Sequence, residues 1–159
     1  MTKVSGQIVI DAPAEKVWEV LADFGGVYKW APGVAESHST SSSNSGVDAA
    51  RHCDVPGFGG IEEFITEWNE GVGFSYKVEP FGMIDESSST WKITPQGDKT
   101  LVYTELNVNM RFGLFGSIME RLVVRRKIEN GTRNALAGLK QHVMTGELIG
   151  SDFRAPVAA

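Results

Sequence analysis

The sequence holds a single cysteine, Cys53, so no internal disulfide can form, and one-cysteine usage suits a reducing compartment. No apolar run approaches the length of a membrane span, and the opening MTKVSGQIVI lacks the apolar core of a signal peptide. Integral membrane association is therefore not expected, and a cytoplasmic location is. Positive charge is also short: 15 basic against 20 acidic residues give a formal net charge of −5. Phosphate neutralisation needs a basic surface, so nucleic acid is not an expected partner. The run Arg125-Arg126-Lys127 is the local exception, and inside a helical pattern it reads as a solvated helix face.

What is present is one domain's worth of alternating and helical patterns in 159 residues. Val4 to Ile10 alternates like a strand with one inward side. Asp11-Ala12-Pro13 ends it, and proline suits a helix's first turn because its missing N–H would be unpaired there. Val17, Trp18, Leu21 and Phe24 then lie on one helical stripe, Gly25-Gly26 breaks it, and Val27 to Trp30 makes one more turn. Strands follow over 34–43, 47–54, 61–68, 74–78, 87–94 and 101–110, separated by turn sequences such as Pro80-Phe81-Gly82. Short connections favour antiparallel neighbours. From about Leu114 to Met144 the apolar spacing is helical, with Gly131 expected to bend the helix or admit a close neighbour. Residues 1–145 read as the domain and 146–159 as a flexible tail.

The fold class is thus α+β. A curved seven-stranded antiparallel sheet wraps around a long C-terminal helix, with two short helices between strands 1 and 2. Such an arrangement leaves a hollow between sheet and helix.

Particular residues look familiar. Ile10-Asp11-Ala12-Pro13-Ala14-Glu15-Lys16-Val17-Trp18, with Asp23, Tyr28, Trp30 and Pro32, resembles the opening of the START-like helix-grip superfamily (SRPBCC). Gly46-Val47-Asp48-Ala49-Ala50-Arg51, Glu63, Ile65, Tyr76 and Leu139-Lys140 continue the match in register. The nearest branch in this likeness is the polyketide cyclase/dehydrase and lipid-transport one; Asn69 departs from it where an acid is usual. No cofactor is expected, and with His38 and His142 remote from His52 and Cys53 no metal is either. In the related abscisic-acid receptors a loop closes over the ligand, which makes Phe58 a lid residue by resemblance, together with the loop Pro80–Ile84.

The stretch RHCDVPGFGGIEEF concentrates the reactive side chains. Arg51 and Glu63 are equidistant from Gly57, so a hairpin centred there sets them opposite each other as an ion pair. That pair is either a surface bridge or a buried anchor for a ligand. His52 and Cys53 are adjacent and point to opposite faces of a strand, so they cannot share a metal. Alternation puts Phe74 with Tyr76, and Trp91 with Ser89, facing inward. The seventh strand is ambiguous: Val102, Leu106, Val108 and Met110 form its apolar set, while family alignment favours Tyr103 and Glu105 inward. The fourth has the same conflict between Phe64 with Trp68 and Ile61 with Glu63 and Ile65; a bulge reconciles either. The expected cavity lining is Arg51, Phe58, Glu63, Ile65, Phe74, Tyr76, Trp91 and Tyr103, with Met119, Leu122, Thr132 and Leu136 from the helix.

Three readings remain open at this point. The first is binding or transport of a small hydrophobic, lipid- or polyketide-like molecule. A polyketide cyclase or dehydratase would use the same cavity with Arg51, Glu63, Tyr76 or Tyr103 as proton donors and acceptors. A protein-interaction module would need no ligand. Catalytic residues are not identified, and the oligomeric state, a homodimer included, is left open.

Overall fold

A computed structural model describes residues 1–111 and 118–157. The elements are β1 (Thr2–Ile10), α1 (Ala14–Ala22), a 3₁₀ segment (Phe24–Lys29), β2 (Glu36–Ser39), β3 (Ala50–Val55), β4 (Gly59–Asn69), β5 (Gly73–Val78), β6 (Ile84–Gln96), β7 (Lys99–Met110) and α2 (Ile118–Thr145). The expected first helical turn from Leu114 lies outside the described residues. All strand pairs are antiparallel in the order β1-β7-β6-β5-β4-β3-β2, a curved open sheet. The first two strands in sequence therefore occupy opposite edges, and α1 with the 3₁₀ segment carries the chain between them.

Cross-strand registry assigns the faces, because directly paired residues share a side. One inward row runs Arg51–Glu63–Val78–Ser87–Val108 and the next Ile65–Tyr76–Ser89–Leu106–Val4. A third joins Trp68–Phe74–Trp91–Thr104–Gly6. The ambiguity in β4 is resolved by a register shift between Ile65 and Glu67, which lets Ile61, Glu63, Ile65 and Trp68 all face inward. In β7 the apolar set wins.

The helix α2 packs chiefly against β1. Its buried stripe passes through Leu136, Leu139 and Val143, with Val124, Ile128 and Thr132 half-buried further back. Gly6 makes this approach possible: a Cβ there would sit 2.9 Å from Leu136 Cδ1 and 3.3 Å from Thr132 Cγ2. The other close approach is at Gly138, where a Cβ would lie 2.2 Å from the Trp30 carbonyl oxygen. The sequence had pointed to Gly131 instead. The helix runs through Gly131 without interruption, and nothing lies within 4 Å of its missing Cβ.

The segment after α2 is also docked rather than loose through its first turns. Ile149 is buried and its N–H donates to the Lys29 carbonyl at 3.0 Å, while the Ala155 N–H donates to Asn134 Oδ1 at 2.9 Å. Burial of one isoleucine against the 3₁₀ segment is enough to hold a short return.

These two glycines make opposite predictions. Gly138→Ala forces α2 off Trp30 and should cost about 2 kcal/mol or more. Gly131→Ala should stabilise by up to about 1 kcal/mol through helix propensity alone. Urea unfolding of both variants checks this, and equal effects would contradict the packing described.

Candidate functional site

The interior divides along the strands. At the end where β1 meets α1, aromatic side chains fill it. Trp18 lies 5.1 Å from Trp68 and 6.3 Å from Phe74, Phe24 lies 5.9 Å from Phe74 and 5.7 Å from Tyr76, and Trp30 meets Trp91 edge-on at 5.2 Å. These ring pairs have the tilted and edge-to-face geometries that aromatic quadrupoles favour. α1 delivers Trp18 because its apolar stripe faces the sheet, and Phe24 opens the 3₁₀ segment that follows the α1 C-cap at Asp23.

At the boundary of this cluster sits the Arg51–Glu63 pair. The two residues are 4% and 6% exposed, directly paired across β3 and β4, with Arg51 Nε 2.5 Å from Glu63 Oε2. Arg51 Nη1 donates to the Phe24 carbonyl at 2.8 Å, and its guanidinium carbon lies 3.9 Å from the Phe24 ring centre and 4.9 Å from that of Tyr76. The pair is buried rather than exposed at the sheet surface. Burial alone would lower the Arg51 pKa, but the charge of Glu63, with smaller contributions from Tyr76, Cys53 and the hydrogen bond to Glu63, together raises it.

The same surroundings silence the neighbouring nucleophiles. Cys53 is buried on the inward face, 3.7 Å from Glu63 Oε2, and burial followed by the Glu63 charge pushes its thiol up to about 12. Burial and then Glu63 likewise push the Tyr76 phenol up to about 12. Neither group is a thiolate or phenolate at neutral pH, so each can donate a proton to a hydrogen bond but not act as a ready base or nucleophile.

His52 points the other way, as the alternation required. On the outer face its Nδ1 meets Glu62, its Nε2 lies 3.3 Å from Asp54, and its ring is 5.4 Å from that of His38. Hydrogen bonding to Glu62 and then to Asp54 raises its pKa.

Beyond the ion pair, toward the β3–β4 and β5–β6 turns, the inward rows mix apolar and polar groups. Val4, Val78 and Val108 are buried there with Ser87 and Ser89. Among the described residues the buried side-chain polar atom without a partner is Trp30 Nε1, and it lies in the aromatic cluster against Trp91. Above these rows, between β1 and α2, lies a groove of about 410 Å³ that includes Val4, Gly6, Thr132 and Leu136, with Lys3, Arg125 and Glu129 at its rim. A larger depression of about 610 Å³ lies elsewhere, on the outside of α1 among Trp18, Trp68, Glu70 and Pro95. It lies away from the ion pair, so it has no part in the interior site.

The structure thus brings Arg51, Glu63, Ile65, Phe74, Tyr76 and Trp91 together on one concave face, and Thr132 and Leu136 onto β1 at Gly6. Phe58, 66% exposed at its turn, packs edge-on against Phe81 of the other turn at 6.0 Å. Three expectations are corrected. Tyr103 is on the outer face, paired with Gln7 and Lys92, and its hydroxyl donates to Glu105 at 2.8 Å, which also holds Lys3. The apolar set of β7 claims the inside, and one residue's shift reverses every side chain. Met119 and Leu122 are 68% and 47% exposed, because the buried stripe of α2 passes through Val124 and Ile128 instead.

Ser87 could have been found from its alternation with Ser89 and Trp91. The Phe24 carbonyl that receives Arg51 could not, since every residue carries a carbonyl.

A curved antiparallel sheet gripping a C-terminal helix, with its polar anchor inside, defines a START-like helix-grip protein. The chain belongs to the polyketide cyclase/dehydrase and lipid transport family, whose model matches residues 1–144. Among solved structures it is similar to TTHA0849 from Thermus thermophilus, at 21% identity and a TM-score of 0.76, over 91% of this chain and 99% of that one. The di-domain ARO/CYC BexL from the BE-7585A biosynthetic pathway matches at 17% identity and a TM-score of 0.72, over 91% of this chain and 47% of that one. A START superfamily protein from Mycobacterium smegmatis matches at 18% identity and a TM-score of 0.70, over 89% of this chain and 97% of that one. At these identities the likeness is one of fold. A search of curated proteins found no match.

Two predictions follow from the hairpin. Glu63→Gln strands a buried guanidinium and should cost about 3–5 kcal/mol, whereas Arg51→Met with Glu63→Leu should cost far less. Denaturant unfolding of both variants tests it, and an equal loss would mean the pair acts by packing alone. For His52 the folded pKa is raised, so its stabilisation is fully present below the unfolded value near 6.5 and is lost as pH rises through the folded value. Proton NMR should find His52 titrating above the ordinary histidine range, and Glu62→Gln should bring it down.

Proposed function

We propose that this protein binds a small hydrophobic molecule, lipid- or polyketide-like, between the concave face of the sheet and α2. The observation that carries this reading is the composition of the interior beyond Arg51–Glu63. A solid core would bury apolar groups against one another and pair every polar one. Here small polar groups stand in place of large apolar ones: Ser87 and Ser89 are buried among Val4, Val78 and Val108, beside a fixed ion pair. An apolar wall with a few convergent polar groups is what a ligand site needs: area for affinity, directional groups for orientation. The groove between β1 and α2, about 410 Å³, has the size of a small-molecule site, and Val4, Gly6, Thr132 and Leu136 line it. The fold family supports ligand binding in general.

The Arg51 charge is already satisfied by Glu63 and Phe24, so its remaining N–H and the phenol of Tyr76 can offer neutral-type hydrogen bonds to a ligand oxygen. This favours a molecule with a carbonyl or hydroxyl over one with a carboxylate. The cyclase alternative would require a group able to withdraw a proton. Tyr76 and Cys53, both held protonated, do not supply it, and Glu63 is occupied by Arg51. Binding, rather than turnover, is the better-supported role.

Titration with the fluorescent probe 1-anilinonaphthalene-8-sulfonate, together with native mass spectrometry of freshly purified protein, tests the proposal. Ser89→Trp would fill the space between Tyr76 and Leu106; it should abolish probe binding and any co-purifying mass while circular dichroism stays native. Undiminished probe binding in that variant would refute an interior site.

A further inference from the structure

Gly131 sits inside α2 with nothing within 4 Å of its missing Cβ, so packing does not account for a residue that weakens a helix relative to alanine. Lys127, Gly131, Asn134 and Gly138 recur at helical spacing and share one face of α2. At Gly138 that face meets the Trp30 carbonyl and Pro32 Cδ. Earlier along the helix it stands off, and a depression of about 370 Å³ opens between it, Pro32-Gly33, Pro56 and the C-terminal return.

The depression is lined by donors. Lys127 and Arg154 are its cations and no carboxylate lines it, in a chain whose net charge is −5. Lys127 forms no ion pair among the described residues. Arg154 is held by its own return: Nη1 donates to the carbonyls of Ser151 at 2.9 Å and Phe153 at 2.7 Å, which leaves the Nε and Nη2 hydrogens. Asn134 fixes the return by accepting from the Ala155 N–H through Oδ1, so its amide NH₂ is left to donate. Asn130 and Ser151 add a second amide and a hydroxyl. The acids nearest in sequence are placed elsewhere. Glu129 pairs with Arg125 on the flank of the helix that faces β1, and Asp152 is exposed outside the lining.

We propose that this depression binds a phosphate group, free or on a small monoester. At neutral pH a monoester carries about two negative charges and several strong acceptor oxygens. That suits a cation on the helix and another on the return, with amide and hydroxyl donors between them. A carboxylate, with a single charge, would leave one cation uncompensated. Gly131 supplies the room, because a side chain there would rise from the floor that the anion has to approach. None of these residues lines the groove between β1 and α2, so the site is separate from interior binding and does not rest on it.

Isothermal titration calorimetry of the full chain with inorganic phosphate, glycerol 3-phosphate and acetate tests it, with amide NMR shifts to locate the site. Phosphate should bind saturably and move the amides of Asn130, Gly131, Asn134 and Ser151. The tighter of the two phosphate ligands identifies the source, free phosphate or monoester. Lys127→Gln should weaken binding about tenfold, the loss of one charge-assisted contact. Arg126→Gln removes the same charge from the neighbouring position, outside the depression, and should leave the affinity unchanged. Gly131→Leu should abolish binding by filling the floor. Leucine is the better helix former, so this variant should melt no lower than the parent. Every variant should keep the native response to 1-anilinonaphthalene-8-sulfonate, so failure here and failure of the interior site read out separately. Acetate binding as tightly as phosphate, equal weakening by Lys127→Gln and Arg126→Gln, unchanged affinity in Gly131→Leu, or no saturable phosphate binding would overturn the proposal.

Discussion

The buried contact between Arg51 and Glu63 ties the β3–β4 hairpin to the segment that crosses the molecule. It joins β3 to β4 from inside the sheet, and through the Phe24 carbonyl it fastens the segment that crosses from one sheet edge to the other. A charged pair out of water is stabilising only when nearly every donor and acceptor is satisfied. Here the requirement is met by one carboxylate, one backbone carbonyl and two aromatic faces. The geometry is therefore intolerant: the hairpin register, the position of the 3₁₀ segment and the orientation of Phe24 must all be right together. Cys53 and Tyr76 are held protonated as a by-product of the same low-dielectric, negatively biased setting.

How much of this was legible in the sequence depends on the range of the interaction. The hairpin could be read because its symmetry is local: Arg51 and Glu63 flank Gly57 equally, and the turn glycines mark the centre. The inward faces of β5 and β6 were also plain from alternation. β7 was not, since Tyr103 and Val102 are each credible inward residues until the pairing with β1 and β6 selects one parity. In β4 no strict alternation could place both Ile65 and Trp68 inside, and only a bulge does so. The helix misled for a related reason. Met119 and Leu122 are as apolar as Val124 and Ile128, and nothing within α2 says which stripe will meet β1. Gly131 and Gly138 look alike in sequence, yet only Gly138 faces a neighbouring carbonyl.

The two ends of the interior do different things. Toward α1, the aromatic rings interlock and leave no role for a guest. Toward the β3–β4 and β5–β6 turns, small residues replace them: serine at 87 and 89 and valine at 4, 78 and 108. Close packing is what specifies a unique fold, and any space for a ligand must be taken from it. The aromatic end and the ion pair secure the fold, and the other end is built from smaller side chains. The position of Gly6 fits this division, because it draws the later turns of α2 down onto β1 while the earlier turns stand away from the sheet.

That standing-away has a consequence for how a hydrophobic molecule would enter. Half of α2 is fixed by Leu136, Leu139 and Gly138, whereas among the described residues the other half contributes the half-buried Val124 and Ile128. Elements with few buried contacts open at low free energy, whereas those in the core open only with global unfolding. Motion should therefore pivot near Thr132, where α2 leaves β1, and widen the space at the turns without disturbing Arg51–Glu63.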